Sequence, residues 1–338
     1  MLFRNEFLYN LNMIYPKFIS KGSTIGICPL SAGMGKKLNE LDESIAVFKR
    51  EGYKVIETTS TRNKGARAAS PRKMAKEFDE LVTNNKVDLI NLATGGDYQL
   101  ETVPYINYEH IKQNPKWIMG YSDPTNLLYP VTTLLDIATI YGNDGGGFEL
   151  NTSKDQIANL EIIKGNIVKQ NSYKNYCDAL DKYQGNTNFK KKVKWISKKD
   201  VDVSGRCIGG CFDCIEKLIG TPYDGTLKFI EKYKDDGIVF YFDVFATSSF
   251  NFYLSLLQMK NAGYFKYCKA VLIGRVAIPT IENKNLDYIK AADKALGNIP
   301  HICEMDIGHS LPRMTMINGA IINVKYKNNK GSISFKLK

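Results

Sequence analysis

Pro115-Lys116-Trp117-Ile118-Met119-Gly120-Tyr121-Ser122-Asp123-Pro124-Thr125-Asn126 is the stretch on which the reading of the chain turns. Trp117 to Met119 is a short apolar run with the pattern of a buried strand. Gly120 permits a sharp turn. Pro124 suits a first helical turn, because its ring fixes φ and it has no N–H to lose. Ser122 therefore stands where a strand hands over to a helix. Its hydroxyl is expected at the carboxyl edge of a sheet, beside main-chain N–H groups that no carbonyl has claimed. A hydroxyl nucleophile needs such surroundings, since negative charge develops close by during attack. A serine capping the helix is the plainer alternative.

The flanking sequence supplies the rest of that sheet. Ser23 to Ile27 and Lys54 to Glu57 read as strands on either side of a helix over about Leu38 to Glu51. A helix over about Ser70 to Asn84 precedes a strand Val87 to Ala93, and the helix from Pro124, kinked at Pro130, precedes a strand Ala138 to Tyr141. Strands and helices alternating at this spacing imply an α/β, Rossmann-like parallel sheet covered on both faces. From about Asn151 to Lys199 the pattern weakens into lysine- and asparagine-rich sequence. Beyond it come a helix near Gly210 to Leu218, a strand Ile238 to Phe242, a helix Ser249 to Asn261 and a strand Ala270 to Ile273. A helix Leu286 to Leu296, a strand Ile302 to Asp306 and a hairpin around Asn328-Asn329-Lys330-Gly331 complete the chain. The expected division is an N-terminal extension (residues 1–12), an N-terminal α/β domain with the nucleophile (13–150), a connector (151–200) and a C-terminal domain (201–338) with an acid and a base.

The 338 residues are 43% hydrophobic and 24% charged, an ordinary balance for a globular chain with a large core. No apolar run approaches the roughly 18 residues of a membrane helix. The first twelve residues carry Arg4 and Glu6 and lack a secretory pattern, so a cytoplasmic protein is expected. The net charge of +11 is spread out rather than gathered in a nucleic-acid motif, and reads as a solvated surface. Seven cysteines without a signal imply reduced thiols. Cys207, Cys211 and Cys214 are spaced for one face of a helix starting near Gly210 and lack a fourth soft ligand; they read as small buried residues, with no metal or cofactor expected.

A nucleophilic serine needs a base, and only three histidines are present. His110 reads as lying on an exposed helical edge, and His301 stands at the amino end of its strand. His309 follows the strand Ile302 to Asp306 and so emerges at the carboxyl edge, where groups in open α/β sheets gather. Asp243 closes the apolar strand Ile238 to Phe242 at the same kind of edge. An acid after such a run is costly to bury unless paired, which makes it the candidate partner for the histidine; a helix N-cap is the alternative. Gly95 and Gly96, after the strand Val87 to Ala93, and the N–H of Asp123 are candidate oxyanion donors. Asp97, Tyr98 and Arg275 are candidates for substrate contact, the arginine for a terminal carboxylate. Gly145-Gly146-Gly147 reads as a flexible connection, without the spacing of a phosphate loop.

Gly95-Gly96-Asp97, Pro115 to Asp123, Gly209-Gly210 with Ile219-Gly220-Thr221-Pro222-Tyr223, and Ile307-Gly308-His309 together resemble the LD-carboxypeptidase family, which includes the microcin-immunity peptidases. The resemblance runs from about Ile14 to Val324. It implies a metal-independent serine peptidase with two α/β domains, the second smaller, a cleft between them that holds the active site, and a homodimer. By motif Ser122 matches the nucleophile, His309 the base, and Asp123 with Gly95-Gly96 the oxyanion donors. Where this chain has Asp243 the family carries a catalytic glutamate, one methylene longer, and Tyr141-Gly142-Asn143-Asp144 also differs from the family's usual loop. The implied activity is hydrolysis of an L,D-amide, with release of terminal D-alanine from a peptidoglycan tetrapeptide. Two alternatives stand beside it: hydrolysis of a peptidyl or aminoacyl nucleotide toxin, and a cleft that binds with little or no catalysis.

Overall fold

Short apolar runs without polar alternation form strands buried on both faces. The computed structural model describes residues 12–338, so all of the expected extension but Asn12 lies outside the described residues. In the first sheet, β1 (Thr24–Cys28), β2 (Lys54–Glu57), β3 (Leu89–Leu92), β4 (Trp117–Gly120) and β5 (Thr139–Tyr141) run parallel in the order β2-β1-β3-β4-β5. The order reverses between β1 and β3. Loops leaving those two strands therefore diverge and open a crevice at the carboxyl edge.

The stretch expected as a connector is more structured than its composition suggests. It carries a helix, Lys154–Ile163, the short strands β6 (Gln170–Asn171), β7 (Asn175–Tyr176) and β8 (Lys191–Lys192), and a helical turn Ala179–Tyr183. The strands β9 (Val201–Cys211), β10 (Ile238–Asp243), β11 (Cys268–Gly274) and β12 (His301–Met305) are parallel neighbours in a second sheet. After β13 (Met316–Asn318), β14 (Ile321–Lys327) and β15 (Lys330–Lys336) extend that sheet antiparallel from β9, with β6 at its far edge. The hairpin turns at Asn328 and Asn329, both at positive φ, which asparagine tolerates better than most residues.

The helix expected near Gly210 starts instead at Phe212, and Cys207 and Cys211 lie in β9, with only Cys214 on the helix. The cause is close backbone approach. A Cβ on Gly209 would collide with the Tyr241 carbonyl, and Gly210, at φ +152°, lies against Thr125. Glycines that read as a helix start are the points where a central strand touches its neighbours.

Two connections join the sheets. Helix Thr125–Leu135 is buried from Thr125 to Thr133, as its apolar and hydroxyl-rich sequence requires. It receives Cys211 N–H on Thr125 Oγ1 at 2.8 Å and pairs Tyr129 with Thr226 at 2.7 Å. The second connection is β13. It lies late in the chain, yet it pairs antiparallel with β5 and closes the edge of the first sheet.

Candidate active site

Ser122 sits one residue beyond Tyr121 and two beyond the end of β4, at φ +69°. A residue with a Cβ pays about 1–3 kcal/mol for that conformation. In return its hydroxyl points off the sheet rather than along it. Its Oγ lies 3.0 Å from His309 Nε2, and His309 Nδ1 lies 3.0 Å from Asp243 Oδ1 and 2.9 Å from Oδ2. Asp243 is the last residue of β10, and His309 sits on the loop that leaves β12. The structure thus brings together three residues from the carboxyl ends of three strands. The shorter acid reaches the imidazole directly, with nothing between them.

Gly308 makes that approach possible. It stands at φ +104°, and a Cβ there would collide with the Asp243 carboxylate. Gly308→Ala should push the His309 loop away from Asp243. A displacement near 1 Å should cost on the order of 100-fold in kcat, measured beside an unchanged far-ultraviolet circular dichroism spectrum.

Asp243 and His309 are 0% and 2% exposed. Burial alone would lower the His309 pKa. The Asp243 charge and its hydrogen bond outweigh burial, so the imidazole titrates above the ordinary 6.5.

Tyr141, at the end of β5, was not foreseen. Its hydroxyl donates to Asp243 Oδ2 at 2.5 Å and accepts the Ser122 N–H at 2.9 Å. Burial and the neighbouring carboxylate keep this phenol protonated, so it remains a donor. A closed circuit results, running from Ser122 N–H through Tyr141, Asp243 and His309 back to Ser122 Oγ. Tyr141 is a positioning residue. Tyr141→Phe should lower kcat by about tenfold. The acid limb of the pH profile should move to higher pH, because a carboxylate relieved of one donor attracts imidazolium more strongly.

The Ser122 N–H is committed to Tyr141. Among the described residues, the N–H groups of Asp123, Gly95 and Gly96 have no acceptor in the protein. Gly95 lies against Ser122, where a Cβ would sit 3.1 Å from Ser122 Cβ and 3.3 Å from its Oγ. The Asp123 carboxylate accepts from Gln99 N–H at 2.9 Å and from Asn126 Nδ2 at 2.7 Å. That bond ties the glycine turn to the start of the buried helix.

The group opens into a cavity of about 1010 Å³. Its walls are the divergent loops after β1 and β3, including Met34 and Asp97; Asp144 with the run Gly146 to Glu149; and, from the chain's second half, Lys182, Tyr183, Phe245 and Arg313. Gly146 and Gly147 line it too, so the glycine run expected as a flexible connection is part of the wall. Tyr98 does not line it. Its ring carries the Arg67 guanidinium at 3.6 Å, and its N–H donates to Ser31.

Arg275 requires a correction: it is not at the cavity. It is buried against Asp306 Oδ1 at 2.5 Å and donates to the Glu304 carbonyl at 3.0 Å. The carboxyl-edge position suggested a ligand, and the acid on the adjoining strand's end satisfies the charge internally.

Arg313 is the buried cation that faces the cavity. Its guanidinium lies over the Tyr121 ring at 4.0 Å. Burial opposes ionisation of the Tyr121 phenol, but Lys182 and Arg313 outweigh it and bring the phenol down to about 7. Lysine-rich sequence gave no sign that Lys182 would reach the site. Arg313, four residues past His309, could have been flagged only by its closeness to that loop.

Domain models of LD-carboxypeptidases match residues 25–142 (N-terminal domain) and 204–324 (C-terminal domain). The chain belongs to the LD-carboxypeptidase family. This LD-carboxypeptidase family member is therefore a hydrolase. It is 24% identical to a putative carboxypeptidase of Vibrio cholerae, across 96% of this chain and 98% of that one. It is also 24% identical to the microcin C7 self-immunity protein MccF of Escherichia coli, across 94% of each. Among solved structures, an MccF-like protein from Bacillus anthracis superposes with a TM-score of 0.80 at 20% identity, covering 96% of this chain and 100% of that one. Muramoyltetrapeptide carboxypeptidase from Oxalobacter formigenes gives 0.73 at 17% identity, covering 93% and 98%. At such identities the structural likeness speaks for the two-domain fold alone.

Proposed function

We propose that this LD-carboxypeptidase family member is a serine carboxypeptidase that opens an amide between an L-centre and a terminal D-residue, such as the D-alanine of a peptidoglycan tetrapeptide. The observation that carries the reading is the hydrogen-bonded run Ser122–His309–Asp243 at the edge of a large cavity. His309 Nε2 takes the Ser122 proton as Oγ attacks the carbonyl carbon. The tetrahedral oxyanion is held by the N–H groups of Asp123 and the Gly95-Gly96 turn, with help from the amino end of helix Thr125–Leu135. His309 then gives the proton to the departing amine, and Asp243 steadies the imidazolium meanwhile. Water, deprotonated by the same histidine, attacks the ester carbon, and Ser122 leaves with its proton restored.

A second reading, cleavage of an aminoacyl nucleotide, draws on the immunity protein among the relatives. Turnover of L-Ala-γ-D-Glu-L-Lys-D-Ala and of aspartyl sulfamoyl adenosine, measured side by side, separates the two. Release of D-alanine, with the nucleoside untouched, is the expected result. Preference for the nucleoside replaces the first reading by the second, and turnover of neither overturns both.

A further inference from the structure

Arginine in a protein interior normally finds acceptors for its fork of N–H groups, as Arg275 does on Asp306 and the Glu304 carbonyl. Arg313 does not. It is 8% exposed, and its Nε and Nη1 are buried without a hydrogen-bond partner. Its main-chain N–H donates to Asp155 Oδ2 at 3.3 Å, but among the described residues its guanidinium forms no ion pair. Asp144, also buried in the wall, is occupied by the Gly146 N–H. The guanidinium lies over the ring of Tyr121, whose centre is 5.2 Å from that of His309, and Arg313 borders the cavity that Ser122 faces. A desolvated charge with unmade bonds is costly unless a ligand completes it. A planar fork beside an aromatic face matches a carboxylate, which accepts two parallel N–H bonds.

We propose that Arg313 receives the terminal carboxylate of the substrate and so registers the last amide of the chain over Ser122, making the enzyme an exopeptidase. Lys182 on the same wall adds positive field, and the Tyr121 ring packs against the guanidinium. The inference rests on the reading that Ser122 opens a peptide amide, and it assigns the anion that this reaction's substrate must carry.

The test compares L-Ala-γ-D-Glu-L-Lys-D-Ala with the same peptide amidated at its carboxyl end. The wild type should favour the free acid by on the order of 100-fold in kcat/KM. Arg313→Gln should lose that factor on the acid, chiefly through KM, and stay within about threefold on the amide. Arg313→Lys, which keeps charge and loses the fork, should fall between. Equal losses on both peptides, or none, would overturn the assignment, and thermal unfolding of each variant identifies a misfolded one. Binding of the two peptides to Ser122→Ala protein, by calorimetry, decides the matter apart from turnover. Preference for the acid, erased by adding Arg313→Gln, supports the carboxylate site even if the wild type cleaves neither peptide; equal binding of acid and amide rejects it.

Discussion

Replacing Ser122 by alanine should lower kcat on an L,D-tetrapeptide by on the order of 10⁶-fold while leaving the fold in place. The size follows from what the hydroxyl does. In the proposed reaction its oxygen forms the ester, and the Asp123, Gly95 and Gly96 amides cannot substitute for it. Stability should change by less than about 1 kcal/mol, because among the described residues the only partner of its Oγ is His309 and alanine can take the same backbone conformation. Ser122→Gly separates chemistry from strain. Glycine reaches φ +69° without steric cost, so this variant should be equally dead and about 1 kcal/mol more stable than the alanine variant. Steady-state release of D-alanine and urea unfolding measure the two halves. Retention of more than a hundredth of wild-type turnover by either variant would remove Ser122 from the chemistry.

Asp243→Asn should cost about 10⁴-fold in kcat. An amide at this position presents its NH₂ or its oxygen to Nδ1. Neither stabilises the imidazolium as the carboxylate does, and the NH₂ favours the wrong tautomer. The pH profile carries a second signature. In the wild type kcat/KM should rise as His309 loses its proton, and because Asp243 raises that pKa, the acid limb should lie above 6.5. Without the carboxylate charge, burial prevails and the pKa falls. The residual activity of Asp243→Asn should therefore rise at lower pH than the wild type's. An unmoved acid limb would mean that Asp243 does not govern His309.

One rule made the three side chains legible. A reactive residue after an apolar strand lies at the carboxyl edge, and Ser122, Asp243 and His309 each follow one. The same rule pointed to Arg275, and there it misled, because nothing local shows that the end of the neighbouring strand supplies Asp306 to neutralise it. Tyr141 ends a strand as well and could have been flagged, but a tyrosine after Thr139 and Ile140 reads as core until its hydroxyl is seen between Asp243 and the Ser122 amide. The long strand β9 was hidden by Gly205, Gly209 and Gly210, whose role is close contact with distant segments. Register between segments more than a hundred residues apart leaves no trace in local periodicity, and β13 and Arg313 both depend on it.

β13 has a consequence for how the enzyme can move. The strap bearing His309 is moored at one end in β12 and at the other in β13, so each lobe holds one of its ends. Gaping of the lobes as rigid bodies would have to tear Met316, Ile317 and Asn318 from Tyr141, Ile140 and Thr139. An amino-terminal fragment produced alone would bare the flank of β5 and invite intermolecular pairing there.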